Sequence, residues 1–208
     1  MSTEVIPAST SGFVARIRNI LLRPREEWER IASEDTPPAA LYRGYVIPLA
    51  AIGPVASLIG LWAIGVSLGV LGGRFHMPFG RVLVYVVIAY VLALVAVYVL
   101  GLVIDFVVPN FGGEKDFPQA FKLAVYSSVP AWLGGIFHLF FAVAFIGGLV
   151  GLYGLYLLYL GVPTLTKVPR ERALPCTVVI ILAAIVIYVL IGIIASAITF
   201  GGHVMFYG

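Results

Sequence analysis

The sequence predicts an all-α membrane fold: a polytopic bundle of five transmembrane helices, preceded by an N-terminal amphipathic interfacial helix. Three observations carry this. Of 208 residues, 61% are hydrophobic and only 11% charged, whereas a soluble domain has roughly a quarter of its residues charged to cover its water-facing surface. Apolar runs recur that match the ~20 helical residues needed to cross a hydrocarbon core of about 30 Å. The cationic residues, finally, crowd into alternate loops.

Residues 1–44 read as a cytoplasmic lead. Phe13, Ile17, Ile20 and Leu21 recur at helical spacing, with Arg16, Arg18 and Arg23 on other faces. Pro24 suits the first turn of a second short helix, with Glu26 and Glu27 at its positive end. Trp28 and Ile31 follow three apart, and Pro37-Pro38 ends the helix. The pattern predicts a helix in the headgroup plane with Trp28 as its interfacial anchor. A docking surface for a soluble partner is the other reading. Residues 1–11 carry no pattern.

Residues 45–208 hold the spans. Four runs qualify directly: Tyr45–Leu71, Val82–Val108, Leu149–Leu165 and Leu174–Phe200. A fifth, Ala124–Ile146, is diluted by Ser127, Ser128, Pro130, Gly134, Gly135 and His138, and Gly147-Gly148 is read as its turn into the next helix. Pro48, Pro54 and Pro130 should bend their helices, since each removes a backbone donor and crowds the preceding turn.

Direction follows from charge. With five spans and a cytoplasmic N-terminus, eleven of the thirteen Lys and Arg residues fall inside, and only Arg74 and Arg81 outside. This is the positive-inside pattern. It places the protein in the inner membrane with its C-terminus on the opposite side. The basic balance then marks a face beside anionic lipid, not a nucleic-acid footprint.

Helices in lipid associate through close contact of small residues. Gly147, Gly151, Gly154 and Gly161 form one stripe, Gly65, Gly69 and Gly73 a second, and Ala184, Gly192 and Ser196 a third. Such stripes fit packing within the chain or a homodimer seam.

Asp105 is the one acid inside a span, near its end, in the stretch IDFVVPNFGGEKDF. An intramembrane acid is expected to be paired, and Lys122 or Lys115 is the expected partner. Either Gly112 or Gly113 can supply a positive φ for the turn. No catalytic constellation, cofactor motif or metal-ligand spacing is present in the sequence. The lone Cys176 excludes an internal disulfide. The residues thus favour a non-enzymatic membrane protein organising partner proteins or lipids, as a homo-oligomer or with other membrane proteins. A small transporter or lipid-moving protein, using the kinked third span and Asp105, is the alternative.

The segments NILLRPREEWERI, LYRGYVIPLAAIGP, FGGEKDFPQAFKLAVYSSVPAWLGGIF and LYGLYLLYLGVPTLTKVPRERAL resemble the bacterial-type branch of the Yip family, named for binding Ypt/Rab GTPases. Tyr126, Ser127 and Pro130, and the run Leu152 to Tyr156, are the more specific matches. The resemblance implies five spans, a cytoplasmic N-terminus and no catalysis. Its eukaryotic members carry Asp-Leu-Tyr-Gly-Pro before the first span. Here Leu41-Tyr42-Arg43-Gly44-Tyr45 stands there, a faint echo only, so the resemblance does not extend to the motif tied to Rab binding.

Overall fold

The computed structural model describes residues 12–67, 74–75 and 78–200. Gly69 and Gly73 lie outside that range. Two short helices, α1 (Phe13–Leu22) and α2 (Pro24–Ser33), lead into a long irregular helix, Pro38–Ile64. Within it, α3 (Pro38–Leu41), α4 (Ile47–Ala50) and α5 (Ile52–Leu58) alternate with π turns at Tyr42–Val46 and Ile59–Ile64. A two-residue antiparallel ladder, β1 (Val66–Ser67) with β2 (Arg74–Phe75), precedes α6 (Phe79–Val107). Then come α7 (Phe117–Gly134), α8 (Ala144–Thr166) and α9 (Arg170–Phe200).

Four of these helices are long and apolar enough to cross a membrane: Pro38–Ile64, Phe79–Phe111, Ala144–Thr166 and Arg170–Ile194. Each begins several residues before the span expected from hydropathy alone: three add a stretch containing Arg43, Arg81 or Arg170, which apolar content does not mark, and α8 adds residues 144–148, which the sequence divides between the third span and its turn. The expected third span, Ala124–Ile146, differs more. Helix stops at Gly134, and 3₁₀ turns at Gly135–Leu139 and Phe141–Val143 carry the chain to α8. The Gly147-Gly148 turn is likewise corrected: both glycines lie inside α8.

Pro48 accounts for the first irregularity of the Pro38–Ile64 helix. Pro48 has no N–H to donate, and its ring crowds the carbonyl four residues back. The turn before it widens, and Ile47 N–H donates to Tyr42 O, five residues away. An extra residue inserted in this way is a π-bulge. The second π turn closes with Gly65 N–H on Gly60 O, and Gly65 ends the helix at φ 77°.

Helix α7 is the centre. Every residue from Ala120 to Pro130 is buried, with α6 on one side and α8 on the other. Ser127 Oγ donates to Leu123 O at 2.6 Å, and Ser128 Oγ to Ala124 O at 2.7 Å. Both hydroxyls are satisfied inside their own helix, which lets serine occupy a buried face.

Glycines set the spacing around α7. A Cβ at Gly147 would lie 2.5 Å from Gly134 O, and one at Gly135 would lie 2.7 Å from Gly53 Cα. Gly154 meets the Ser127 carbonyl, and Gly161 meets Leu123 and the Trp28 ring. Gly151 has only ordinary contact with Ala131, and Gly192 faces open space. The α8 stripe therefore lies along α7 within the chain, where backbones can approach closely.

Gly154→Leu should drive a side chain into the Ser127 carbonyl and destabilise the bundle by about 1–3 kcal/mol, as overpacking does. Thermal unfolding in detergent should show a lowered midpoint, while Gly192→Leu leaves it unmoved. Equal midpoints for the two variants would contradict the seam.

Candidate functional site

The charged residues converge where the lead meets α7. Arg16 and Glu27 lie one turn before Ile20 and Ile31, on the faces those residues bury. Arg16, expected on a face other than the apolar one, therefore shares the buried face of α1 with Ile20. Its Nη1 donates to Glu27 Oε1 at 2.7 Å, and its Nη2 donates to Glu34 Oε1. Burial alone would lower the Arg16 pKa. The hydrogen bond to Glu34, with Tyr126 and the two carboxylates nearby, instead holds it above its ordinary value. The guanidinium stays charged and locked.

Lys122 completes the junction. Its Nζ donates to Ile31 O at 3.2 Å and to Glu34 O at 2.5 Å, while Gln119 Nε2 donates to Ala32 O at 3.2 Å. These carbonyls end α2, where a helix has no partners of its own and carries its negative dipole end. One helix thus caps another.

Trp28 is not the interfacial anchor expected from its sequence. It is fully buried, its ring over Gly161 and edge-on to Tyr126 with centroids 6.2 Å apart. Tyr126 also meets Tyr45, at 5.4 Å. The indole is the plug that docks α2 on α8, and Tyr153 Oη donates to Leu21 O at 2.8 Å to hold α1 beside it. Pro130 and Ser127 are carried further along α7, towards Gly154.

The expected tether between Asp105 and Lys122 is corrected. Lys122 reaches the carbonyls of α2, and Asp105 Oδ1 is buried without a hydrogen-bond partner. The Lys122 ammonium is drawn to a helix end offering several fixed acceptors, and Asp105 is not among its partners. The rest of the 104–117 stretch is a latch. Asn110 Nδ2 donates to Phe106 O and Val107 O, and Gly112 takes φ 82°. Gly113 presses on Thr166 O, Glu114 N–H donates to that same carbonyl at 2.9 Å, and Lys167 Nζ reaches Glu114 Oε2 at 2.5 Å. Asp116 then caps α7 through Gln119 N–H.

Three clefts open nearby. One of about 260 Å³ is lined by Arg25, Glu29, Tyr159, Thr164 and Arg170. A second, of about 670 Å³, is walled by Tyr42, Tyr98, Phe117 and Phe121 with Arg43. A third, of about 200 Å³, lies beside Ser57, Tyr85, Trp132 and His138. Asp105 lines none of them. Among the described residues no group of three His, Cys, Asp or Glu side chains is placed to hold a metal ion.

The family described as the Yip1 domain matches residues 18–200, from within α1 to the end of α9. The chain belongs to the Yip1 domain family. No curated protein and no solved structure matches it. The Yip1 match includes α2 and Trp28, while Arg16 precedes its first residue.

Sequence reasoning did not pair Arg16 with Glu27 and Glu34. The available signal was spacing: each of Arg16 and Glu27 precedes a buried isoleucine by four residues, so both had to face inward and find a partner.

Arg16→Met leaves the buried Glu27 with only a long 3.7 Å pair to the exposed Arg30 and should destabilise the protein by about 3–5 kcal/mol, as breaking a buried pair does. Arg16→Met with Glu27→Leu should recover most of that loss, read from the unfolding midpoint in detergent. A cycle of Asp105→Ala with Lys122→Ala should be additive within about 0.5 kcal/mol; strong coupling would restore the tether.

Proposed function

We propose that this Yip1-family membrane protein is non-enzymatic and organises partner proteins or lipids by holding its N-terminal lead as a fixed surface on the bundle. The single observation that carries the reading is the burial of Arg16, Glu27 and Lys122 at the joint between lead and α7. Lys122 loses its acceptors at the end of α2 if the lead leaves, and the Arg16–Glu27 and Arg16–Glu34 pairs within the lead hold α1 to α2 so that it docks as one piece. The docked lead turns Val14, Arg18 and Leu22 outward at four-residue steps, with Val14 75% and Leu22 69% exposed. That outward face mixes apolar and basic residues, and it takes the interfacial role that Trp28 does not.

The same reading has five crossings, with α7 and the 3₁₀ turns after it as the third. Helix α7 is the least apolar of the five, yet its burial among other helices removes the need for a lipid-compatible surface. Crossing five times, with the basic loops in the cytoplasm, puts the N-terminus inside and the C-terminus across the inner membrane. Helix α9, with Leu182, Ile185, Val189 and Ile193 exposed, offers its outer faces to lipid, to a second copy or to another membrane protein. Transport through Asp105 is less well supported, since that carboxylate opens on none of the three clefts.

Photo-crosslinkers at Val14 and Leu22 should give adducts with membrane lipid or a membrane partner, and one at Trp28 should give none. Reporters fused at the two termini should fall on opposite sides of the membrane. Equal labelling from Trp28 would overturn the docked lead, and reporters on one side would overturn the five crossings.

A further inference from the structure

The 260 Å³ cleft joins three elements that the sequence keeps far apart: α2 supplies Arg25 and Glu29, α8 supplies Tyr159 and Thr164, and α9 supplies Arg170. The side chains of Arg25, Glu29 and Arg170 have no hydrogen-bond or ion-pair partner among the described residues. Each guanidinium therefore presents five unused donors in a planar fork, the geometry that grips a phosphate in two places. Two unpaired cations on one cleft repel each other, and an anion between them turns that repulsion into attraction. With Glu29 included, the three ionised groups sum to a net charge of +1.

The position of the cleft selects the source of the phosphate. Arg170 is the first residue of a membrane-crossing helix, so the cleft opens at the level where headgroups meet water. Below Arg170, Leu174, Val178 and Leu182 continue at four-residue steps along α9 and are exposed. A soluble phosphate has no use for that apolar track, whereas an acyl chain fits along it. The cleft volume suits a headgroup phosphate with its glycerol, while the chains lie outside on the helix face.

We propose that this cleft binds the headgroup of an anionic phospholipid, with Arg25 and Arg170 on the phosphate, Tyr159 and Thr164 beside the glycerol, and the acyl chains along α9. The net charge of the cleft opposes that of a lipid carrying one negative charge, and a zwitterionic headgroup lacks the match. Glu29 tempers the site and sets its preference. This proposal stands apart from the organising role above and from the sidedness of the termini.

Native mass spectrometry of the full chain in detergent tests it, with phosphatidylglycerol and phosphatidylethanolamine as probes. Phosphatidylglycerol should bind more tightly than phosphatidylethanolamine. Arg25→Gln with Arg170→Gln should weaken phosphatidylglycerol binding by about tenfold or more, as loss of a charge-assisted contact does, with an unchanged unfolding midpoint. Glu29→Gln, which keeps both arginines, should tighten phosphatidylglycerol binding a few-fold. Equal binding of the two lipids, an unchanged double variant, or weaker binding by Glu29→Gln would each overturn the proposal. Displacement of phosphatidylglycerol by an equal concentration of glycerol 3-phosphate would assign the site to a soluble phosphate and overturn it as well.

Discussion

The structure depends on the enclosure of α7. Once a helix is ringed by its neighbours, it answers to packing and hydrogen bonding and no longer to lipid. Its serines can bond their own backbone, its lysine can reach a neighbouring helix end, and its mean hydropathy can fall below that of the helices around it. The glycines of α8 and α5 make the enclosure possible, because a side chain at Gly147 or Gly154 would hold the backbones apart. Lipid offers helices no hydrophobic drive to associate. Closeness of backbone to backbone has to supply it, and small residues on α8 are what permit that closeness along most of α7.

How much of this was legible in the sequence depends on which physical signal each feature leaves. Long apolar runs announce themselves, so the helices around α7 were found with errors confined to their ends. Helix α7 has mixed composition because it is interior, and in a membrane protein an interior helix loses the hydropathy signal that marks the others. Gly134, Gly135 and Gly147 were visible as small residues, but small residues serve turns and close contacts alike. Gly147 stands between two apolar runs and so fits a turn as well as the packing stripe; in the fold it is the far side of a contact with Gly134.

The lead shows the same limit from another direction. Periodicity showed that Ile20, Trp28 and Ile31 share a buried face with their neighbours, but periodicity is silent about what buries it. Lipid and protein are both apolar, so a tryptophan on an amphipathic helix near a membrane fits either. Its ring over Gly161 decides the matter. The polar residues carry more information than the apolar ones here. An arginine and a glutamate that must both face inward require each other, whereas an inward tryptophan requires nothing in particular.

That difference bears on why the joint is charged at all. An apolar contact between α2 and α8 could slide by a residue with little penalty, since one aliphatic surface resembles another. Lys122 can cap α2 in one register only, and Arg16, by satisfying Glu27 and Glu34 together, fixes α1 against α2 within the docked lead. Buried ion pairs add little net stability over well-packed apolar residues, but breaking one is severe. Their contribution here is position. The lead is held at one place on the bundle, so Val14, Arg18 and Leu22 point outward together and Arg25 arrives beside Arg170. A surface shared between α2, α8 and α9 can only be a reproducible site if α2 does not slide, and Lys122 and Gln119, on the carbonyls that end α2, are what prevent it.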